Sequence, residues 1–146
     1  KIAIWFLCLS VLFGQFSMAE EKFLSLKKSK VNVRYGPSFD SKIKYIYKKI
    51  NLPIKQIDQK ENFRRIVDLK NNSGWIHISQ VKKSNSIIIL EDKILYKKPS
   101  NFSKPIAKLE KGRLLILKKC ENIWCNVKTE DYSGWVKTEN IWGSIR

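Results

Sequence analysis

Histidine is almost absent from this sequence. The chain of 146 residues contains one histidine, His77, together with three cysteines and six glycines. A single imidazole excludes metal centres built from two or three histidines. Gly36 stands alone in a predicted turn, so no glycine-rich loop that could cradle a phosphate is present. The length excludes a large α/β barrel, which needs about 250 residues.

Arginine is also scarce, although the chain is strongly basic. Lysine outnumbers arginine by 24 to 5, and the formal net charge is +16. Arginine is the residue expected where phosphates are recognised by planar, bidentate contacts. The positive charge is therefore explained first by a general bias of the sequence towards lysine. The alternative explanation is a surface that binds a polyanion. The hydrophobic share of 43% and the aromatic share of 12% exclude intrinsic disorder.

Long apolar runs are missing except at the N-terminus. Lys1 precedes the apolar residues 2–13, and the small residues Ser17 and Ala19 follow. This order predicts a signal peptide, residues 1–19, cleaved after Ala19, and hence a periplasmic or secreted protein. The run falls short of the roughly 20 apolar residues that span a bilayer, although a retained membrane anchor is the alternative.

Export leaves two cysteines, because Cys8 lies inside the predicted signal peptide. Cys120 and Cys125 are separated by four residues, and a hairpin loop of that length brings its flanking residues face to face. We therefore predict a disulfide between them in an oxidising compartment. A metal site is disfavoured because no histidine or second cysteine pair is nearby, and no cofactor is predicted.

The remaining sequence predicts short β-strands. Residues 43–47, 52–57 and 63–69 are rich in β-branched and aromatic side chains, and several stretches alternate polar with apolar residues. No window beyond Ala19 has sustained helical periodicity. The fold class is therefore predicted as all-β, built from small barrels.

The β pattern occurs twice. The segment SGWI at residues 73–76 recurs as SGWV at residues 133–136, and Pro37-Ser38 recurs as Pro99-Ser100. Glu61-Asn62 is matched with Glu121-Asn122 in the same way. A repeat of this length forms a domain of its own, which predicts domains at residues 23–82 and 86–146. The bridge between them is short, so the two units are expected to pack together.

These segments resemble the bacterial SH3-like domain. The family begins with N-[VL]-R-x-G-P-S and ends with G-W-[VI], matched by residues 31–38 and 74–77. An exported tandem subfamily of alphaproteobacteria carries GLPVEVI…WRRI, RCDGGWCRV and LWGVY. Its counterparts here are residues 51–57 with 62–66, residues 119–127, and residues 141–145. The resemblance implies two tandem SH3-like β-barrels. Repeat two lacks the Asn, Arg and Gly of the opening motif, so a ligand site built on them is expected only in repeat one.

Candidate ligand-binding residues lie around the long first loop of repeat one. Tyr35 and Phe39 flank this loop, and aromatic side chains at this position of SH3-like barrels line a groove for extended peptides. Arg34 alternates with Val33, so it is expected to point outward or to pair with Asp40. Trp75 follows a tight turn and is expected either to close one barrel end or to face the groove.

No catalytic residue is predicted. His77 is interpreted as an ordinary strand histidine, and the 13 carboxylates form no local pair suited to acid–base catalysis. The chain is therefore predicted to be a binding module and not an enzyme.

The family resemblance implies a role in the cell envelope, where bacterial SH3-like domains commonly bind peptidoglycan peptides. The leading hypothesis is an exported protein that binds such peptides. The alternative is an adaptor that binds an extended peptide of an envelope protein. The basic surface would also favour weak association with anionic membrane surfaces. Nucleic acid is not an expected partner, because export and the shortage of arginine count against it.

Overall fold

The computed structural model describes Gly14 and residues 21–145, which form fourteen strands and one short 3₁₀ helix. The predicted signal peptide lies outside these residues apart from Gly14. In chain order the strands are β1 (Lys22–Leu26), β2 (Val31–Arg34), β3 (Ile43–Tyr47), β4 (Pro53–Lys60), β5 (Phe63–Val67), β6 (Ser73–His77), β7 (Val81–Lys83), β8 (Ser86–Ile89), β9 (Lys93–Tyr96), β10 (Pro105–Leu109), β11 (Leu114–Glu121), β12 (Trp124–Lys128), β13 (Ser133–Lys137) and β14 (Ile141–Gly143). The 3₁₀ helix, Ile78–Gln80, joins β6 to β7. Within the described part of the chain, no helix has the length and apolar character needed to cross a membrane.

The strands form two seven-stranded sheets with the same topology. The first has the order β3-β2-β6-β5-β4-β1-β7, and the second has the order β10-β9-β13-β12-β11-β8-β14. Each strand of the second sheet therefore occupies the place of the strand seven earlier in the chain. Neighbouring strands are antiparallel throughout. The all-β prediction with two copies of one unit is confirmed.

Each sheet curls around its own apolar core. Successive strand side chains point to opposite faces, so an alternating strand such as β2 buries every second residue. Val31 and Val33 are buried in this way on β2, while Asn32 and Arg34 lie on the outer face. The first core comprises Leu26, Val31, Val33, Ile54, Ile66 and Ile76. The second comprises Ile87, Ile89, Leu95, Leu109, Leu115, Cys125, Val127 and Val136.

The repeated Gly-Trp motif marks the place where two strands come closest. A Cβ atom added to Gly74 would overlap the Val33 side chain and lie 3.0 Å from the Arg34 carbonyl oxygen. In the second sheet, a Cβ on Gly134 would lie 2.6 Å from the Tyr96 carbonyl oxygen. The glycine is therefore needed for space, so that β6 and β13 can cross β2 and β9 in closing the barrels.

The two barrels contact each other directly. The indole N–H of Trp142 on β14 donates to the Pro53 carbonyl oxygen at 2.9 Å. The same ring meets Phe23 of β1 edge to face, with 5.0 Å between ring centroids. An aromatic side chain of the second barrel is thus packed and hydrogen-bonded against two strands of the first.

Buried hydroxyl groups extend this junction. The side-chain oxygens of Ser25 and Ser86 lie 2.7 Å apart, and both residues are fully buried. The Ser86 hydroxyl donates to the Asn51 carbonyl, while the Ser25 hydroxyl accepts from the Asn85 N–H at 3.1 Å. Because buried polar groups are costly without partners, this network favours one relative position of the two barrels.

A disulfide joins Cys120 and Cys125 on neighbouring strands of the second barrel. The two cysteines are directly paired across β11 and β12, and Glu121 pairs with Trp124 at the end of the hairpin. The turn therefore consists of Asn122 and Ile123, and it is two residues long where the sequence spacing suggested a four-residue loop. Asn122 has a positive φ of 52°, a conformation that asparagine adopts more readily than most residues.

Candidate functional site

Three rings pack together on the outer face of the first barrel. Phe63 begins β5 and His77 ends β6, and the two residues are paired across these strands. Phe39, from the loop between β2 and β3, lies over both. Its ring centroid is 5.0 Å from that of His77 and 5.2 Å from that of Phe63. Phe63 is buried, whereas Phe39 remains 63% exposed, so this cluster offers an aromatic surface to solvent.

Arg34 holds the loop that carries Phe39. Its Nη1 donates to the carbonyl oxygens of Phe39 and Ser41, at 3.2 and 2.9 Å. The guanidinium carbon lies 5.6 Å from the Phe39 ring centroid, within range of a cation–π contact. The expected alternative of pairing with Asp40 is wrong, because no ion pair among the described residues includes Asp40. The loop's own carbonyl groups take the place of that carboxylate.

His77 fixes the start of the 3₁₀ helix. Its Nδ1 accepts a hydrogen bond from the Ser79 N–H at 3.2 Å and lies 2.8 Å from the Ser79 hydroxyl oxygen. An accepting Nδ1 leaves the proton of the neutral imidazole on Nε2. His77 therefore combines a capping role with a stacking surface for Phe39.

A cleft of about 290 Å³ lies beside these rings. It is lined by Lys30, Asn32, Arg34, Phe39, His77 and Gln80. Two of these side chains are cationic, two carry amides and none is a carboxylate. The cleft therefore suits a ligand with anionic groups, amide or hydroxyl groups and a surface that can stack on an aromatic ring.

The other two predicted site residues lie outside this lining. Trp75 is paired with Arg34 across β2 and β6, and it shares a strand face with His77 two residues later. Tyr35 is 66% exposed, and the Lys44 ammonium lies 5.6 Å from its ring centroid. The structure thus brings Arg34 and Phe39 into one cleft, places Trp75 on the strand beside Arg34, and leaves Tyr35 outside the lining.

Sequence reasoning did not identify Lys30, Asn32, His77 or Gln80 as cleft residues. The signal for Asn32 was present, because it alternates with buried valines and so shares the outer face of β2 with Arg34. The position of Gln80 depends on the 3₁₀ helix, and no local pattern in the sequence predicted that helix.

The second barrel has a smaller cleft at the equivalent place, with different chemistry. Its volume is about 150 Å³, and it is lined by Glu91, Asp92, Lys93, Ile94, Tyr96, Asn101, Lys137 and Glu139. Tyr96 pairs with Trp135 as Arg34 pairs with Trp75, and Lys137 pairs with Trp124 as His77 pairs with Phe63. The lining of this second cleft contains three carboxylates, whereas the lining of the first contains none, so the two clefts favour different ligands.

The loop of the second barrel also presents its aromatic residue differently. Phe39-Asp40 in the first loop corresponds to Asn101-Phe102 in the second, which shifts the phenylalanine by one position. Phe102 is 100% exposed as a result. Both loops are ordered by similar serine contacts, since the Phe102 N–H donates to the Ser100 hydroxyl and the Asp40 N–H to the Ser38 hydroxyl. The one-residue shift therefore takes the loop phenylalanine away from this place in the second barrel, where Tyr96 and Trp124 form an edge-to-face pair with 5.6 Å between ring centroids.

The sequence also matches a known family over most of the described chain. The model of the bacterial SH3 domain matches residues 27–83 and again residues 92–143. The chain belongs to the bacterial SH3 domain family. Each match covers most of one barrel, so both repeats are bacterial SH3 domains, as the resemblance implied. No curated protein matches the sequence.

Two solved structures are similar to this pair of SH3 domains at low sequence identity. They are described as NlpC2 and NlpC1 from Trichomonas vaginalis, each 10% identical with a TM-score of 0.39. The alignments cover 86% and 88% of this chain but 49% and 48% of those chains. The chain therefore spans about half the length of these structures.

Proposed function

We propose that this protein is an exported, non-enzymatic binding protein whose first SH3 domain binds peptides of the cell-wall peptidoglycan. The observation that carries the proposal is the cleft beside Phe39, with its exposed ring and its cationic rim. Peptidoglycan peptides carry carboxylates and amides, and these groups match the side chains of Lys30, Arg34, Asn32 and Gln80. Membership of the bacterial SH3 domain family supports the same ligand class.

The lining of the cleft supports a binding role over a catalytic one. It contains no serine, cysteine or carboxylate that could act as a nucleophile or general base. The imidazole of His77 uses one ring nitrogen to hold the 3₁₀ helix. We therefore assign these side chains to ligand contact and charge.

Export follows from the predicted signal peptide and agrees with the disulfide. A cross-strand disulfide persists in an oxidising compartment such as the periplasm or the exterior. We therefore propose a periplasmic or secreted protein, with cleavage after Ala19. Fractionation of cells, with N-terminal sequencing of the purified protein, tests this location and the cleavage point directly.

Co-sedimentation with purified peptidoglycan sacculi tests the binding function. We expect the wild-type protein to be retained at moderate salt and Phe39→Ala to bind about tenfold more weakly, because the stacking surface is lost. Phe102→Ala is the matched control, since it removes the same ring from the equivalent loop of the second barrel. Failure of the wild-type protein to sediment with sacculi would overturn the proposal, as would equal retention of Phe39→Ala.

A further inference from the structure

A groove of about 650 Å³ lies between the two barrels, on a different surface from the Phe39 cleft. It has more than twice the volume of that cleft. It is lined by Tyr45, Ile46, Tyr47, Lys49, Leu52, Pro53, Asp68, Leu69, Lys70, Asn72, Ile88 and Gly112. Ile88 and Gly112 belong to the second domain, so both domains contribute to the groove.

The free edge of a strand runs along this groove. β3 is the outermost strand of the first sheet and, among the described residues, pairs only with β2. Its residues Tyr45, Ile46 and Tyr47 are consecutive, and all three line the groove. Consecutive strand residues point to opposite faces, so the groove follows the edge of β3 and not one of its faces. Unpaired backbone groups at such an edge can accept a further strand.

The floor of the groove is apolar and already in place. Ile46 and Leu69 are each 39% exposed, which is substantial for side chains of this size. Pro53, which also lines the groove, is held from the second domain by Trp142, and Asn51 is held by Ser86. A ligand entering the groove would therefore not have to organise the two domains first, which lowers the cost of binding.

The available charge at the rim is positive. The Asp68 carboxylate accepts hydrogen bonds from the Tyr47 hydroxyl, the Lys70 N–H, the Asn72 N–H and the Asn72 side-chain amide. Both of its oxygens are thus satisfied internally. Lys49 and Lys70 form no ion pair with any described residue. The two ammonium groups remain available to a ligand that carries carboxylates.

We propose that this groove binds an extended segment of a partner protein, with alternating apolar and acidic residues, by adding a strand to β3. The free edge of β3 would pair with the extended backbone of this segment. The apolar floor would contact its apolar side chains, and Lys49 and Lys70 would contact its acidic side chains. A second copy of this chain is disfavoured as the occupant, because its net charge of +16 would bring like charges together. The site is separate from the peptidoglycan cleft and does not depend on it.

Synthetic peptides test the proposal. The probe is a short peptide of alternating valine and glutamate, titrated into the isotope-labelled full chain and followed by NMR. We expect binding with a Kd below about 1 mM, shifts confined to β3 and residues 68–72, and slowed amide exchange on the outer edge of β3. The same peptide with alternate backbone nitrogens methylated should bind at least about tenfold more weakly, because it cannot complete the ladder. A valine–lysine peptide should also bind at least about tenfold more weakly.

Charge reversal at the rim provides the matched variants. Lys49→Glu combined with Lys70→Glu should weaken the valine–glutamate peptide about tenfold and leave retention on sacculi unchanged. Lys30→Glu, at the other cleft, should not affect the peptide. Absence of binding at about 1 mM, shifts at Phe39 and His77 in place of β3, or equal affinity for the methylated peptide would each overturn the proposal.

Discussion

The indole N–H of Trp142 donates to the Pro53 carbonyl oxygen at 2.9 Å, and this bond ties the last strand of the second domain to the first domain. Trp142→Phe keeps an aromatic ring near Phe23 but removes the donor. We expect the free energy of unfolding in urea to fall by about 1–2 kcal/mol, because a buried carbonyl loses a partner. Tyr132→Phe, at an exposed side chain, is the control and should have almost no effect. Equal stability of the two variants would show that the bond contributes nothing to the junction.

We predict that the glycine of the repeated Gly-Trp motif is required because a side chain at this position would overlap the neighbouring strand. Gly74→Ala and Gly134→Ala each force a methyl group against the backbone of the neighbouring strand. We expect each variant to lose about 1–3 kcal/mol of unfolding free energy, the usual effect of overpacking. Gly36→Ala is the comparison, because its new methyl would meet the Ser41 side chain, which can rotate away. Thermal unfolding of the three variants should place Gly36→Ala closest to the wild-type protein.

The strands and their duplication could be predicted from the sequence because both depend on patterns among residues that are close together in the chain. The alternation on β2 follows from the period of two in a half-buried strand, and the recurrence of SGW marks the equivalent strands β6 and β13. His77 shows where such patterns stop being informative. The strand β6 ends at His77, whose side chain caps the 3₁₀ helix through Ser79. A capping contact of this kind overrides the β propensity of Ile78.

The alignment of the two repeats was wrong by one residue at one turn. Glu61-Asn62 was matched with Glu121-Asn122 because the letters agree. In the structure, the residue equivalent to Glu61 is Asn122. Both directly follow the first strand of their hairpin, and their φ values are 51° and 52°. At this turn the equivalence of the two repeats follows the backbone geometry and not the identity of the residues.

The groove between the domains could not be predicted from either repeat alone. Its lining comes from β3, from the loops after β3 and β5, from Pro53 at the start of β4, and from two residues of the second domain. The sequence predicted that the domains pack together, but it contains no local signal for the side on which they meet. That side is set by contacts distant in the chain, such as Ser25 with Ser86, which are 61 residues apart.

Exchanging the residue types of the two equivalent turns should change the stability of the protein in opposite directions. Glu61 has a φ of 51°, in the left-handed region, where a glutamate is strained and an asparagine is tolerated. Glu61→Asn should raise the free energy of unfolding by about 0.5–1 kcal/mol. Asn122→Glu, at the matching position of the second domain, should lower it by a similar amount. Chemical denaturation of both variants tests the pair, and changes of the same sign would contradict the explanation.

The acid sensitivity of the second domain should depend on Glu91. Its carboxylate accepts hydrogen bonds from the Asn140 amide at 3.0 Å and from the buried Lys93 ammonium at 3.3 Å. These contacts, the Asn140 bond foremost, hold the pKa of Glu91 below its ordinary value of 4.5. A lowered pKa in the folded state means that the contacts stabilise the fold above about pH 4.5, and that this contribution is lost as the pH falls through the folded-state pKa.

We therefore expect Glu91→Gln to lower the urea midpoint at neutral pH, with the difference from the wild-type protein shrinking below pH 4.5. Asp92, whose pKa is also lowered, foremost by the Lys111 N–H, is present in both proteins, so its titration cancels in the comparison. Glu110→Gln is the control, because the Glu110 carboxylate forms no ion pair with any described residue. A difference between wild type and Glu91→Gln that stays constant from neutral to acid pH would contradict the assignment of this stabilisation to the Glu91 carboxylate.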